Sequence, residues 1–130
     1  MLSVLQCLRD VANYVKGVAD YPVESVVNAD GSGYTKWNSG KLEQWGESYI
    51  PASYGNASIV VTFPKPFVDI KYRTFITGTG NFTGYALTEN YWGNGNRDAT
   101  TTGTRISVFK RDGNENYNVC FSWYTIGRWK

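Results

Sequence analysis

The chain of 130 residues contains no histidine, and that absence decides most of its chemistry. Serine–histidine and cysteine–histidine nucleophiles are ruled out, because each needs an imidazole base beside the attacking atom. What remains for acid–base work is a pair of carboxylates, the apparatus of glycoside cleavage. The candidates are Glu43, Glu47, Asp69, Glu89 and Asp98. Glu43 alternates with the apolar Leu42 and is expected to face outward, while Glu47 follows Gly46 at a strand end. Nothing in the spacing brings two of these groups together, so the reading is not an enzyme. Cys7 and Cys120 are the only thiols and have neither redox nor metal-binding spacing. They are expected to be separate, buried or half-buried side chains. No metal and no cofactor is expected, since thiols and imidazoles dominate zinc ligand sets and no glycine-rich phosphate cradle precedes a helix.

The residue types left in quantity suit recognition. Aromatics make up 16% of the chain and charged residues only 18%, with 14 glycines. Tyr, Trp, Asn and Thr form hybrid surfaces that stay exposed without collapsing. Sugars match them, offering C–H faces to rings and hydroxyls to amides and carboxylates. The segment 90–103 concentrates this content, and from it Tyr91, Trp92, Asn94, Asn96 and Arg97 are the candidate receptor contacts, with Tyr85 and Tyr54 as further aromatics. Arg97 offers a five-donor fork suited to a carboxylate or phosphate on a glycan, or else to its neighbour Asp98. Trp92 could also fold back onto the domain or into a subunit contact. Trp37, Trp45 and Trp123 fall within strand patterns and are assigned to packing. Trp129 would be odd in a monomer and is expected to cap an oligomer axis or meet a neighbouring chain.

The elements that must hold these residues are legible in outline. Apolar positions at Met1, Leu5, Leu8, Ala12, Val15 and Ala19 step alternately by four and three, the spacing of a heptad. A second row through Val4, Leu8, Val11, Val15 and Val18 widens the stripe enough for a three-chain bundle. The other reading lays one amphipathic helix across the chain's own domain. Asp20-Tyr21-Pro22 ends the helix. Residues 21–33 read as a connector closing in a dense turn signal, Asn28-Ala29-Asp30-Gly31-Ser32-Gly33. Strands are then expected over 34–37, 41–45, 57–63, 70–77, 82–89, 104–110 and 117–126, with loops at 49–55 and 90–103. Gly40 closes a tight hairpin between the first two. Many short strands with regular turns predict a sandwich or barrel.

The net charge of +2 and the absence of any Lys/Arg run beyond Lys110-Arg111 exclude the usual footprint of a nucleic-acid binder. No apolar run approaches the ~18 residues of a membrane span, and the start lacks the pattern of a secretory signal.

Three segments carry a resemblance. Tyr34 to Gly46 (YTKWNSGKLEQWG), Val61 to Phe67 (VTFPKPF) and Phe121 to Gly127 (FSWYTIG) resemble the signature stretches of the C-terminal domain of phage tail fibre proteins, in the same order. Thr125 stands where that pattern often has a small residue, and the tail Arg128-Trp129-Lys130 extends past its usual end. The resemblance implies a non-enzymatic, homotrimeric β-sandwich tip that contacts a bacterial surface polysaccharide or outer-surface protein. It would sit on the virion, joined to an upstream fibre or tail component and assembled in the host cytoplasm. The expected architecture is thus all-β: a small antiparallel β-sandwich (34–130) behind a short coiled-coil helix (1–20). The alternatives are a structural trimerisation or attachment cap, whose aromatics close subunit interfaces, and a glycan-cleaving module.

Overall fold

The computed structural model describes residues 3–53, 56–79, 85–89, 99–110 and 117–130. One helix, α1 (Val4–Val18), precedes nine strands: β1 (Pro22–Val27), β2 (Gly33–Trp37), β3 (Lys41–Ser53), β4 (Ala57–Thr62), β5 (Arg73–Gly78), β6 (Tyr85–Glu89), β7 (Ala99–Thr100), β8 (Gly103–Lys110) and β9 (Tyr117–Arg128). They form two antiparallel sheets. The first has the order β1-β2-β3-β9-β5, and the second β4-β8-β6, with β7 paired to β8.

α1 begins as its sequence requires. Ser3 caps it, its hydroxyl accepting from the Gln6 N–H at 3.1 Å. Among the described residues the apolar stripe of the helix lies open: Val4, Leu5, Leu8, Val11 and Val15 are 50–78% exposed. The helix therefore projects from the sandwich with its apolar face open.

Alternation along the strands builds the core. Leu42 and Gln44 of β3, Phe121, Trp123 and Thr125 of β9, and Ile106 and Val108 of β8 all point inward and are buried. Gln44 is the unexpected member. Its amide is fully buried and clamps the segment between β4 and β5, donating to the Lys65 carbonyl and accepting from the Lys65 N–H, both at 2.8 Å. That segment folds beneath the sandwich as an aromatic plug. Phe63 meets Phe67 and Tyr72 edge-on at 5.3 and 5.1 Å between ring centroids. The Tyr72 hydroxyl lies 3.0 Å from the carbonyl oxygens of both Thr100 and Gly103. The strand expected from Ile70 thus starts at Arg73, because Tyr72 is drawn into the core instead.

The β2–β3 hairpin forms as read, with Gly40 at φ +95° in the position only glycine takes cheaply. Other expectations need correction. The stretch read as a connector contains β1, which pairs with β2 across the Asn28–Ser32 turn. The loop read at 49–55 is a continuation of β3 along β9 to Ser53. Pro51 is tolerated there because the register shifts between Ile50 and Ser53. Trp123 is a core residue, but Trp37 and Trp45 are half-buried on the outward face of the first sheet. Trp129 packs against its own chain, its indole N–H donating to the Trp37 carbonyl at 2.9 Å. Cys7 and Cys120 are separate, as expected, but both are exposed.

Replacing Gln44 with leucine keeps the volume but strands the two Lys65 backbone groups. The expected cost is about 2–6 kcal/mol, at about 1–3 per unsatisfied group. Urea unfolding should show a lower midpoint with an unchanged slope; an unmoved midpoint would deny the clamp its role.

Candidate functional site

β2 stops at Gly33, opposite Trp45, whereas β3 and β9 run on together past it. The step leaves the β2-facing edge of β3 open from Gly46 onward. The β1–β2 turn overhangs this step and is held rigidly. Asp30 Oδ1 accepts from the Ser32 N–H at 3.0 Å and from the Ser32 hydroxyl at 2.6 Å, and Asn28 Nδ2 donates to the same hydroxyl at 3.0 Å. The Ser32 hydroxyl is the main reason, with its N–H second, that the Asp30 carboxyl is held below its usual range. From the outward face, the Trp45 indole N–H donates to the Gly31 carbonyl at 3.1 Å and ties the turn to β3.

Two clefts open around the turn. One, of about 260 Å³, lies between Asn28, Asp30 and Ser32 on one side and Glu47, Ser48, Pro64 and Trp123 on the other. The second, of about 300 Å³, lies on the side of Trp45 and Ser122. Asp30, Glu47 and Trp123 line both. Trp123 reaches this position because Gly46 has no side chain: a Cβ there would sit 2.6 Å from the indole ring. Glu47 is exposed and its carboxylate has no partner among the described residues. Neither cleft has a lysine or arginine in its described lining.

A second polar group lies on the outward face of the first sheet. Glu43 accepts from the Trp37 indole N–H at 2.5 Å and from the Tyr124 hydroxyl at 2.6 Å, and Lys41 lies 4.0 Å from it. Lys41 also sits over the Trp37 ring, 4.1 Å from its centroid. Glu43 faces outward as expected, but with its oxygens occupied it acts as a brace between β2, β3 and β9.

Of the residues singled out from sequence, Tyr54, Tyr91, Trp92, Asn94, Asn96 and Arg97 lie outside the described residues, as does Asp98. Tyr85 opens β6 in register with Lys110. Asp69 accepts from the Lys71 N–H at 2.8 Å in a surface turn, and Glu89 pairs in register with Ile106. Sequence reasoning missed that Asp30 and Glu47 line the same clefts. The turn signal was visible, but only the β1 pairing carries the turn over the β3 edge. Among the described residues, no cluster of three or more potential ligands could hold a metal ion.

Tyr124 gives a pH readout of the outward face. Burial, and then its hydrogen bond to Glu43, push its phenol up to about 12. A phenol raised in the folded state stabilises fully below its ordinary value near 10 and loses that contribution as pH rises towards 12. Absorbance titration should place this ionisation near 12, about two units above the ordinary phenol value. Glu43→Gln should lower it only part of the way, since burial is the larger cause; a full return to 10 would contradict that order.

A family model for the C-terminal domain described as "tail fiber protein gp53-like, C-terminal" matches residues 36–128. No curated protein matches the chain in sequence. Among solved structures, the chain is similar to a C-terminal fragment of the P. aeruginosa R2 pyocin fiber, with 20% identity and a TM-score of 0.56 over 98% of this chain. It spans 30% of that fragment. An N-truncated R1-type pyocin tail fiber gives a TM-score of 0.58 at 14% identity, with 98% of each chain covered. An N-truncated R2-type tail fiber gives 0.53 at 21%, covering 98% of this chain and 44% of that one. At these identities the structural likeness establishes the fold.

Proposed function

The chain belongs to the gp53-like tail fiber C-terminal family, and on that footing we propose that it is the homotrimeric, non-enzymatic attachment tip of a tail fibre. α1 gathers three chains, and the three sandwiches meet the surface polysaccharide of a bacterium. The observation that carries this reading is the open stripe of α1. A helix of 15 residues is marginal alone in water. It buries no apolar face on its own domain, so copies of the same helix are the economical cover. An upstream fibre or tail component would then continue from the helical end. The particle would carry the tip at its distal end after assembly in the host cytoplasm.

A sugar ligand fits the exposed chemistry: half-buried indoles, serine and asparagine groups, and the Glu47 carboxylate beside them. Such contacts are individually weak, and three linked sites raise the effective concentration enough to increase avidity by about 10²–10⁴. Glu43 is consistent with the non-enzymatic reading, since each of its oxygens accepts from an ordered donor, Trp37 or Tyr124, and it serves as a brace between strands. Among the described residues, no helix is long and apolar enough to cross a membrane.

A structural cap is the second reading, and one observation favours it. On the outward face of the first sheet Phe75 is 59% exposed and lies against the Tyr124 ring, 6.0 Å between centroids, an apolar spot suited to chain–chain contact. In that case the aromatics close interfaces and do not touch the receptor.

A fluorescently tagged full-length chain should bind a subset of a panel of bacterial strains, saturably. Periodate oxidation of the cells should abolish that binding. Binding to no strain, or binding lost to surface proteolysis but insensitive to periodate, would overturn the polysaccharide reading.

A further inference from the structure

We propose that the twin cleft between the β1–β2 turn and the open edge of β3 is a sugar subsite that selects an amine-bearing pyranose and rejects an acidic one. This deepens the attachment reading and rests on it, but places recognition away from the 90–103 segment that the sequence favoured.

Three features carry it. The first is shape: two clefts of about 260 and 300 Å³ share the residues Asp30, Glu47 and Trp123. They lie just below and at the lower end of the range for ligand pockets, roughly 300 Å³ and upward, which suits one ring of a glycan more than a drug-sized molecule.

The second is an unanswered donor. Trp123 is 94% buried, being 6% exposed, and lines both clefts. Its indole N–H has no acceptor among the described residues, whereas Trp37, Trp45 and Trp129 each donate to a named oxygen. The side chain is buried, yet its Nε1 is not among the unpartnered atoms closed off from solvent, so this donor edge is open to a ligand. A ring hydroxyl entering either cleft would supply one, and the half-buried face of Trp45 beside it offers the apolar surface that stacks against sugar C–H groups.

The third is charge. The chain carries a net +2, yet the described lining of both clefts has two carboxylates and no cation. The cleft is thus a local acidic site on a weakly basic molecule, and general electrostatic attraction would draw acidic polymers to the chain elsewhere. Within the cleft the preference reverses. Glu47 is free to accept from an ammonium or from vicinal hydroxyls. Asp30 has one oxygen committed to Ser32, and its charge remains. A uronic acid or phosphorylated sugar would place like charges together in a partly desolvated groove, a costly arrangement.

The test uses the full chain and three probes of equal length: a β-1,4-linked glucosamine tetramer, its N-acetylated form and a galacturonic acid tetramer. Calorimetry, with tryptophan fluorescence as the second readout, should rank them amine first, neutral second and acid last. Glu47→Gln, at an exposed position where folding is undisturbed, should weaken the amine-bearing tetramer by about tenfold, the loss expected for one charged hydrogen bond. Glu47→Lys should invert the order in favour of the acidic probe. The proposal is overturned if none of the three binds at millimolar concentration. Equal binding of the acidic and amine-bearing probes, or indifference of the ranking to both Glu47 variants, would overturn it as well. Cell adsorption separates the two levels. If Glu47→Gln loses the tetramer and also cell binding, the subsite serves attachment. If it loses the tetramer while adsorption persists, the cleft is refuted as the receptor site and the attachment reading survives.

Discussion

Everything in this domain hangs on the pairing of β3 with β9, which runs from Lys41 opposite Arg128 to Ser53 opposite Tyr117. The two strands are the longest in the chain and lie at the centre of the larger sheet. Because side chains alternate, one register assigns every residue of both strands to a face. Leu42, Gln44, Phe121 and Trp123 go inward, while Glu43, Trp45 and Tyr124 go outward. A slip of one residue would expose the Gln44 clamp and bury the Glu43 brace without partners. The same ladder outruns β2, and that mismatch in strand length creates the step where the clefts lie.

Local signals were legible in the sequence, and long-range ones were not. The β2–β3 hairpin was readable because Asn-Ser-Gly fixes its own turn, and α1 because its period is contiguous. The continuation of β3 through Pro51 was not, since a proline argues against a strand until a bulge and a partner are known. β1 was hidden for a similar reason: its turn was evident, but its pairing depends on which side of the turn finds a neighbour. The three family segments now have physical roles. Gln44 in the first holds Lys65 in the second, and Gly46 in the first makes room for Trp123 in the third.

The tryptophans show how far residue type alone can mislead. Trp37, Trp45, Trp123 and Trp129 looked like packing or an interface, yet these four described tryptophans do different things. Trp123 is core with an open donor edge, Trp37 and Trp45 brace an outward face, and Trp129 closes the hairpin of its own chain. A domain of this size buries a modest core, and much of its order comes from such hydrogen-bonded aromatics. What it leaves uncovered is concentrated in α1 and on the outer face of the first sheet. Both are surfaces that assembly would bury, and neither is needed to complete the sandwich.

The central claim, that the sandwich folds alone and α1 joins three of them, is tested most directly by solution mass from light scattering. The full chain should have the mass of three copies, and a version beginning at Tyr21 should fall to one copy while keeping its β-sheet signal. A full-length chain that remains strictly monomeric at roughly tens of micromolar would contradict the account, since an exposed heptad stripe should not stay unpaired at such concentrations.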